Sequence, residues 1–153
     1  MARPNQRQEG SSSPALDVFI FVTNTLGNNW TAEASRIVTK AGMVPFFYQG
    51  LDRNLIGSSI SNEAQSDLWE CDAIIVAVTE EELEKPHELW IYEHVDVAGR
   101  RGIPILVYAK KAQRNIHLDA RWLTAASTVP VTMVTDENDF GLRLQAALRT
   151  LAR

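Results

Sequence analysis

Histidine is the residue type in this chain best suited to metal or acid–base chemistry, and there are three histidines. His87 and His94 stand seven residues apart in a stretch whose pattern predicts a helix, so they share roughly one helical face. Two imidazoles on one face can begin a metal site, because neutral histidine is a common metal ligand. His117 lies in a stretch of unclear pattern, and no third ligand stands at a matching spacing. We therefore predict no metal site.

Cysteine and carboxylate chemistry is also restricted. Cys71 is the single cysteine and comes just before the apolar run 73–78, so we predict a packed thiol rather than a nucleophile. The acidic run at 80–84 is interpreted as a solvated loop whose charge suits a nearby helix N-terminus. The chain contains no GxGxxG, Walker A or GxSxG motif. Their absence argues against a classical dehydrogenase, a P-loop nucleotidase and a serine hydrolase.

Strand and helix patterns alternate along most of the chain. This order favours right-handed βαβ crossovers and an α/β fold, a single three-layer, doubly wound parallel sheet of about five strands with flavodoxin-like winding. Ligands of such sheets bind beyond the carboxyl ends of the strands, here the loops 23–29, 49–57, 79–87 and 109–115. The predicted strands are 16–22, 43–48, 73–78, 103–108 and 131–134, and the predicted helices are 30–41, 60–68, 86–99 and 140–151.

Length and composition predict one domain with a tail. The 153 residues fit a single domain over 15–153, while residues 1–14 lack apolar periodicity and are predicted to be disordered. The net charge of −4 argues against nucleic acid as a partner. The longest apolar run, 73–78, is far shorter than the ~20 residues of a membrane helix, so no membrane partner is predicted. A single cysteine favours a reducing compartment, and we expect a cytoplasmic protein.

The segment from Asp17 to Leu151 resembles the TIR domain family and the related nucleoside deoxyribosyltransferase-like fold. Residues 17–20 look like the opening strand of the family, and 46–48 followed by a polar loop and Gly57 look like its second strand and BB loop. The second helix and third strand of the family are matched by Ile60, Ala64, Leu68 and 71–76. The segment that carries its active site is matched by Trp90, Ala98 and 102–105.

This resemblance implies cleavage of an N-glycosidic bond, of NAD in TIR enzymes and of nucleosides in the transferases. Both families use a glutamate on the third helix, and a carboxylate suits an oxocarbenium-like transition state. The family glutamate lies four residues after the residue matching Trp90 and four before the one matching Ala98. Both anchors point to His94, and Glu93 is its neighbour. We therefore take Glu93 and His94 as the candidate catalytic positions.

The apolar helical arc predicts which of the two positions faces inward, and it is defined by Trp90, Ile91, Val95, Val97 and Ala98. At about 100° per residue His94 falls in the middle of the apolar arc, and Glu93 falls outside its edge. Neutral His94 supplies no negative charge, and protonated His94 would repel a developing cation. A one-residue slip or a bulge in the helix would bring Glu93 inward.

The ligand-binding candidates come from the loops at the predicted carboxyl edge. Asn24 and Asn28 would either line the cleft or cap the first helix. Phe47 and Trp90 would shape a pocket, and Arg53 would meet a phosphate.

The sequence is compatible with two functions. The first, which we prefer, is a TIR-like signalling module of bacterial defence or stress signalling, with weak or no catalysis. It would self-associate or bind another signalling protein through residues 49–57, and it would bind a nucleotide at the carboxyl edge of the sheet. The alternative is an NAD glycohydrolase or nucleoside N-glycosidase that uses Glu93, with NAD as substrate or ligand and no other cofactor. A receiver or flavin binder is disfavoured, because Thr23 and Asn24 replace the acidic cluster of receivers.

Overall fold

One parallel β-sheet organises the described part of the chain. The computed structural model describes residues 15–47, 70–84, 98–99, 101–112 and 131–151. The strands lie in the order β2-β1-β3-β4-β5, and every pair is parallel. This confirms the predicted doubly wound α/β sheet. The strands are β1 (Asp17–Val22), β2 (Val44–Phe46), β3 (Ala73–Thr79), β4 (Ile105–Lys110) and β5 (Val131–Val134).

Two helices and one short turn are described beside the sheet. Helix α1 spans Asn28–Lys40, helix α2 spans Glu137–Leu151, and a short 3-10 turn covers Glu82–Glu84. Glu70, which precedes β3, is also helical. Residues 98–99, which precede β4, are helical as well. The predicted tail 1–14, the predicted helix 60–68 and most of the predicted helix 86–99 lie outside the described residues.

Strand alternation divides the core into two clusters. On one face, Ile20, Ile75 and Tyr108 pack beneath residues of α1 and α2, and we call this the α1/α2 face. On the other, Phe21 and Val76 pack with Ala98, and we call this the Ala98 face. Strand β3 is buried along its whole length, which explains its unbroken apolar sequence.

The direction of strand addition reverses between β1 and β3. The chain passes from β1 through α1 to β2 on one side, whereas β4 and β5 are added on the other side. Right-handed crossovers in opposite directions require connections on opposite faces, which is consistent with α1 and Ala98 lying on different faces. The carboxyl ends of β1 and β3 therefore flank the topological switch point, where open α/β sheets bind ligands.

Helices α1 and α2 pack closely over the α1/α2 face. Trp30 of α1 stacks on Phe140 of α2 with ring centroids 5.0 Å apart, and Phe140 meets the edge of Tyr108 at 5.1 Å. Gly141 permits the close approach, because a Cβ there would lie 3.2 Å from Cδ1 of Ile37. The two helices thus cover one face of the sheet together.

Two of the predicted strands were given wrong bounds. The fourth strand begins and ends two residues later than 103–108, because the N–H of Ile103 still closes the preceding helical turn on the carbonyl of Ala98 at 3.1 Å. Pairing with β3 starts only where Ile105 meets Ile74. The second strand ends at Phe46 rather than at residue 48, and it lies at the edge of the sheet, where the missing N–H of Pro45 is tolerated.

Candidate functional site at the carboxyl edge of the sheet

Thr23 lies at the carboxyl end of β1, beside the switch point. Its N–H donates to the carbonyl of Ala77 at 3.1 Å, so the β1–β3 pairing continues one residue beyond the strand. The N–H groups of Leu26 and Gly27 both donate to the Thr23 carbonyl, which forms the tight turn that leads into α1. Thr23 is only 2% exposed, yet its hydroxyl has no hydrogen-bond partner among the described residues. A buried polar group of this kind is unusual and indicates a missing partner.

A capping box shapes the turn after β3. The hydroxyl of Thr79 accepts the N–H of Glu82 at 3.1 Å, and Glu82 Oε1 accepts the N–H and hydroxyl of Thr79 at 2.8 and 3.0 Å. This is the reciprocal pattern of a Thr-x-x-Glu box at a helix start. Glu82 Oε2 also accepts a long hydrogen bond of 3.4 Å from the Thr25 hydroxyl. The turn is thereby linked to the loop that follows β1.

Glu80 connects the same turn to β4. It is only 9% exposed, and its Oε1 accepts the N–H of Ala112 at 2.8 Å. The N–H of Glu80 donates to the carbonyl of Lys110 at 2.9 Å, which extends the β3–β4 pairing. The prediction of a solvated acidic loop was therefore wrong for Glu80, because the end of β4 offers a backbone donor that holds the carboxylate inside. The Thr-x-x-Glu spacing at 79–82 was a sequence signal for this ordered turn.

Thr23 and Glu80 start from the same face of the sheet. Alternation along β1 places Phe19 and Phe21 on the Ala98 face, and Thr23 continues that series. Alternation along β3 places Val76 and Val78 there, and Glu80 continues it. A hydroxyl that can donate or accept and a carboxylate that accepts thus flank the switch point on the Ala98 face.

The structure describes two of the predicted ligand-binding residues. Asn24 is exposed in the turn after Thr23, and α1 is capped by Gly27 with no side-chain hydrogen bond, so the capping roles of Asn24 and Asn28 are not observed. Phe47 is partly buried against the cluster on the α1/α2 face, whereas its neighbour Phe46 packs on the Ala98 face.

The other predicted site positions, Arg53, Trp90, Glu93 and His94, lie outside the described residues. Ala98, the anchor of the predicted third-helix arc, is fully buried on its face of the sheet. Cys71 is buried, as expected of a packed thiol.

Neither a metal cluster nor a membrane-spanning helix is present in the described ranges. No group of three or more histidine, cysteine or acidic side chains there could hold a metal ion. None of the described helices is long and apolar enough to cross a bilayer.

The chain matches known proteins only among solved structures. No family model and no curated protein matches this chain. Among solved structures, the chain is similar to the TIR domains in the structure of the activated Roq1 resistosome directly recognizing the pathogen effector XopQ. The identity is 15% and the TM-score 0.46, with 90% of this chain and 84% of that chain covered. The doubly wound α/β fold rests on the strand order of this chain itself.

Proposed function

We propose that this chain is a TIR-like signalling module that binds a nucleotide at the carboxyl edge of its sheet, between β1 and β3. The main support for nucleotide binding is the Thr23 hydroxyl, which is buried beside the switch point and has no hydrogen-bond partner among the described residues. A ligand hydroxyl or phosphate oxygen would supply the missing hydrogen bond.

The chemistry around Thr23 suits a ribose. Glu80 is on the same face and holds the N–H of Ala112 through one carboxylate oxygen, Oε1. Carboxylates commonly accept hydrogen bonds from ribose hydroxyls in doubly wound nucleotide-binding sheets. Asn24, exposed in the adjoining turn, adds an amide that can donate and accept.

The signalling role follows from the sequence resemblance and from the residue at position 94. The resemblance implies a glutamate where this chain has His94, which supports a module with weak or no catalysis. In this proposal the module works in the cytoplasm, in bacterial defence or stress signalling, and associates with itself or with another signalling protein. NAD is the nucleotide that the resemblance favours.

The alternative is an NAD glycohydrolase or nucleoside N-glycosidase in which Glu93 acts as the catalytic carboxylate. The burial of Ala98 supports this alternative function, because Ala98 is one of the two residues that align the third helix with the family pattern. Turnover of NAD that disappears in Glu93→Gln with unchanged thermal stability would establish this alternative over the non-catalytic module.

The test of nucleotide binding uses Thr23→Val, which removes the hydroxyl and keeps the shape of the side chain. We expect NAD or AMP affinity, measured by calorimetry, to fall about fivefold, because one buried hydrogen bond contributes about 1 kcal/mol. Thr39→Val is the matched control, since Thr39 is exposed on α1. Equal affinity in Thr23→Val and the parent chain would refute this site, as would the absence of nucleotide binding by the parent chain.

A further inference from the structure

A cavity of about 290 Å³ lies between the sheet and α2, away from the carboxyl edge described above. Tyr108 and Thr132 are paired across β4 and β5, so their side chains lie on the same face. That face is the α1/α2 face, because Tyr108 packs against Phe140 there. The cavity is therefore on the opposite side of the sheet from Ala98. Its lining includes Leu106, Tyr108, Thr132, Arg143, Ala146 and Ala147.

Arg143 is the one cationic side chain among the described residues of this lining, and a neighbour on its own helix positions it. Its Nε donates to Asp139 Oδ1 at 3.0 Å, while Asp139 Oδ2 accepts the N–H of Thr135 at 2.9 Å. These contacts, the backbone hydrogen bond first and Arg143 second, hold the pKa of the Asp139 carboxyl below its usual range. No hydrogen bond joins either terminal amino group of Arg143 to the part of the chain that is described. The guanidinium thus keeps a pair of donors for another acceptor.

Two hydroxyl groups complete the polar side of the cavity. Burial raises the pKa of Tyr108 to about 12, and the positive charge of Arg143 acts in the opposite direction, so the phenol and the guanidinium are within electrostatic reach. Neither Tyr108 nor Thr132 has a side-chain hydrogen bond within the described ranges. Both hydroxyls can donate to an anion. The remaining walls named above are aliphatic.

We propose that this cavity is a binding site for a small monocarboxylate with an apolar body, held by Arg143, Tyr108 and Thr132. A guanidinium presents parallel donors that match the two oxygens of a carboxylate. Asp139 already pairs with Arg143, so the two side chains together carry little net positive charge. A singly charged anion therefore fits this site better than a dianionic phosphate. The aliphatic walls accept a hydrocarbon group, and the volume is near the lower end for small-molecule pockets.

The test is a titration of the full chain with benzoate, followed by two-dimensional NMR of its amide and methyl groups. We expect saturable shifts at Tyr108, Thr132 and Arg143. Benzyl alcohol, which has the same ring without the charge, should bind at least about tenfold more weakly, because hydrogen bonds to charged groups are stronger than those between neutral groups. Inorganic phosphate should not compete.

Variants test whether benzoate binds in this cavity or is attracted by any positive charge on the surface. Arg143→Gln should weaken benzoate binding about tenfold or more, and Thr132→Val several-fold. Arg36→Gln is the matched control, because Arg36 is also an ion-paired arginine on a helix surface, 58% exposed against 53% for Arg143. Melting temperatures verify that each variant is folded. Equal binding by Arg143→Gln and Arg36→Gln, shifts confined to other surfaces, or no saturable shift up to the solubility of benzoate would each overturn the proposal.

Discussion

Glu80 Oε1 accepts a hydrogen bond of 2.8 Å from the backbone N–H of Ala112, 32 residues further along the chain. The contact joins the turn after β3 to the segment that leaves β4. It also keeps a carboxylate almost fully buried at the edge of the sheet where we place the nucleotide. The position of Glu80 therefore depends on the pairing of two strands that are distant in sequence.

We expect Glu80→Ala to destabilise the protein by about 1–3 kcal/mol, because the N–H of Ala112 loses its partner. Urea denaturation with a constant slope would measure the loss. Glu81→Ala is the control, since Glu81 is the exposed neighbour in the same acidic run. Equal effects in the two variants would mean that the Glu80 contact contributes nothing to stability.

Thr23→Val should leave the free energy of unfolding unchanged or raise it by up to about 1 kcal/mol. The reason is that the buried Thr23 hydroxyl has no partner in the described structure and its desolvation is uncompensated. Thermal and chemical denaturation without nucleotide would measure this. A clear loss of stability would indicate a hydrogen bond to Thr23 in the free protein, and would remove the main support for the nucleotide site.

Stability should decrease between about pH 10 and pH 12 through Tyr108. Its pKa is raised from 10.0 to about 12 in the folded protein, so the folded state binds more protons than the unfolded state in this range. The contribution is fully present below pH 10 and is lost as the pH rises through about 12, amounting to about 3 kcal/mol at most. Comparing urea denaturation of the parent chain and Tyr108→Phe across this range isolates it. Parallel pH dependences would contradict the prediction.

Phe140→Ala should cost about 3–5 kcal/mol, because the ring is fully buried and contacts both Trp30 and Tyr108. Leu142→Ala is the control on the same helix, since Leu142 is 69% exposed. We expect the control to change the free energy of unfolding by less than about 0.5 kcal/mol. A large loss in Leu142→Ala would indicate that this surface is covered in solution by a second molecule.

Local pattern was sufficient to predict the alternating elements, the apolar strand that begins at Ala73 and the packed thiol of Cys71. These features depend on side-chain periodicity and backbone chemistry within a few residues. The predicted winding was confirmed because right-handed crossovers leave few arrangements for such a chain.

Contacts between distant segments produced the features that the pattern missed. The register of β4 against β3 set where the fourth strand begins, and the backbone N–H of Ala112 drew Glu80 out of solvent. Which of Phe46 and Phe47 lies on the Ala98 face depended on where β2 pairs with β1, since a shift of one residue exchanges the two faces. Thr23 looked like an ordinary loop residue, and its buried hydroxyl became apparent only when β1 was placed beside β3.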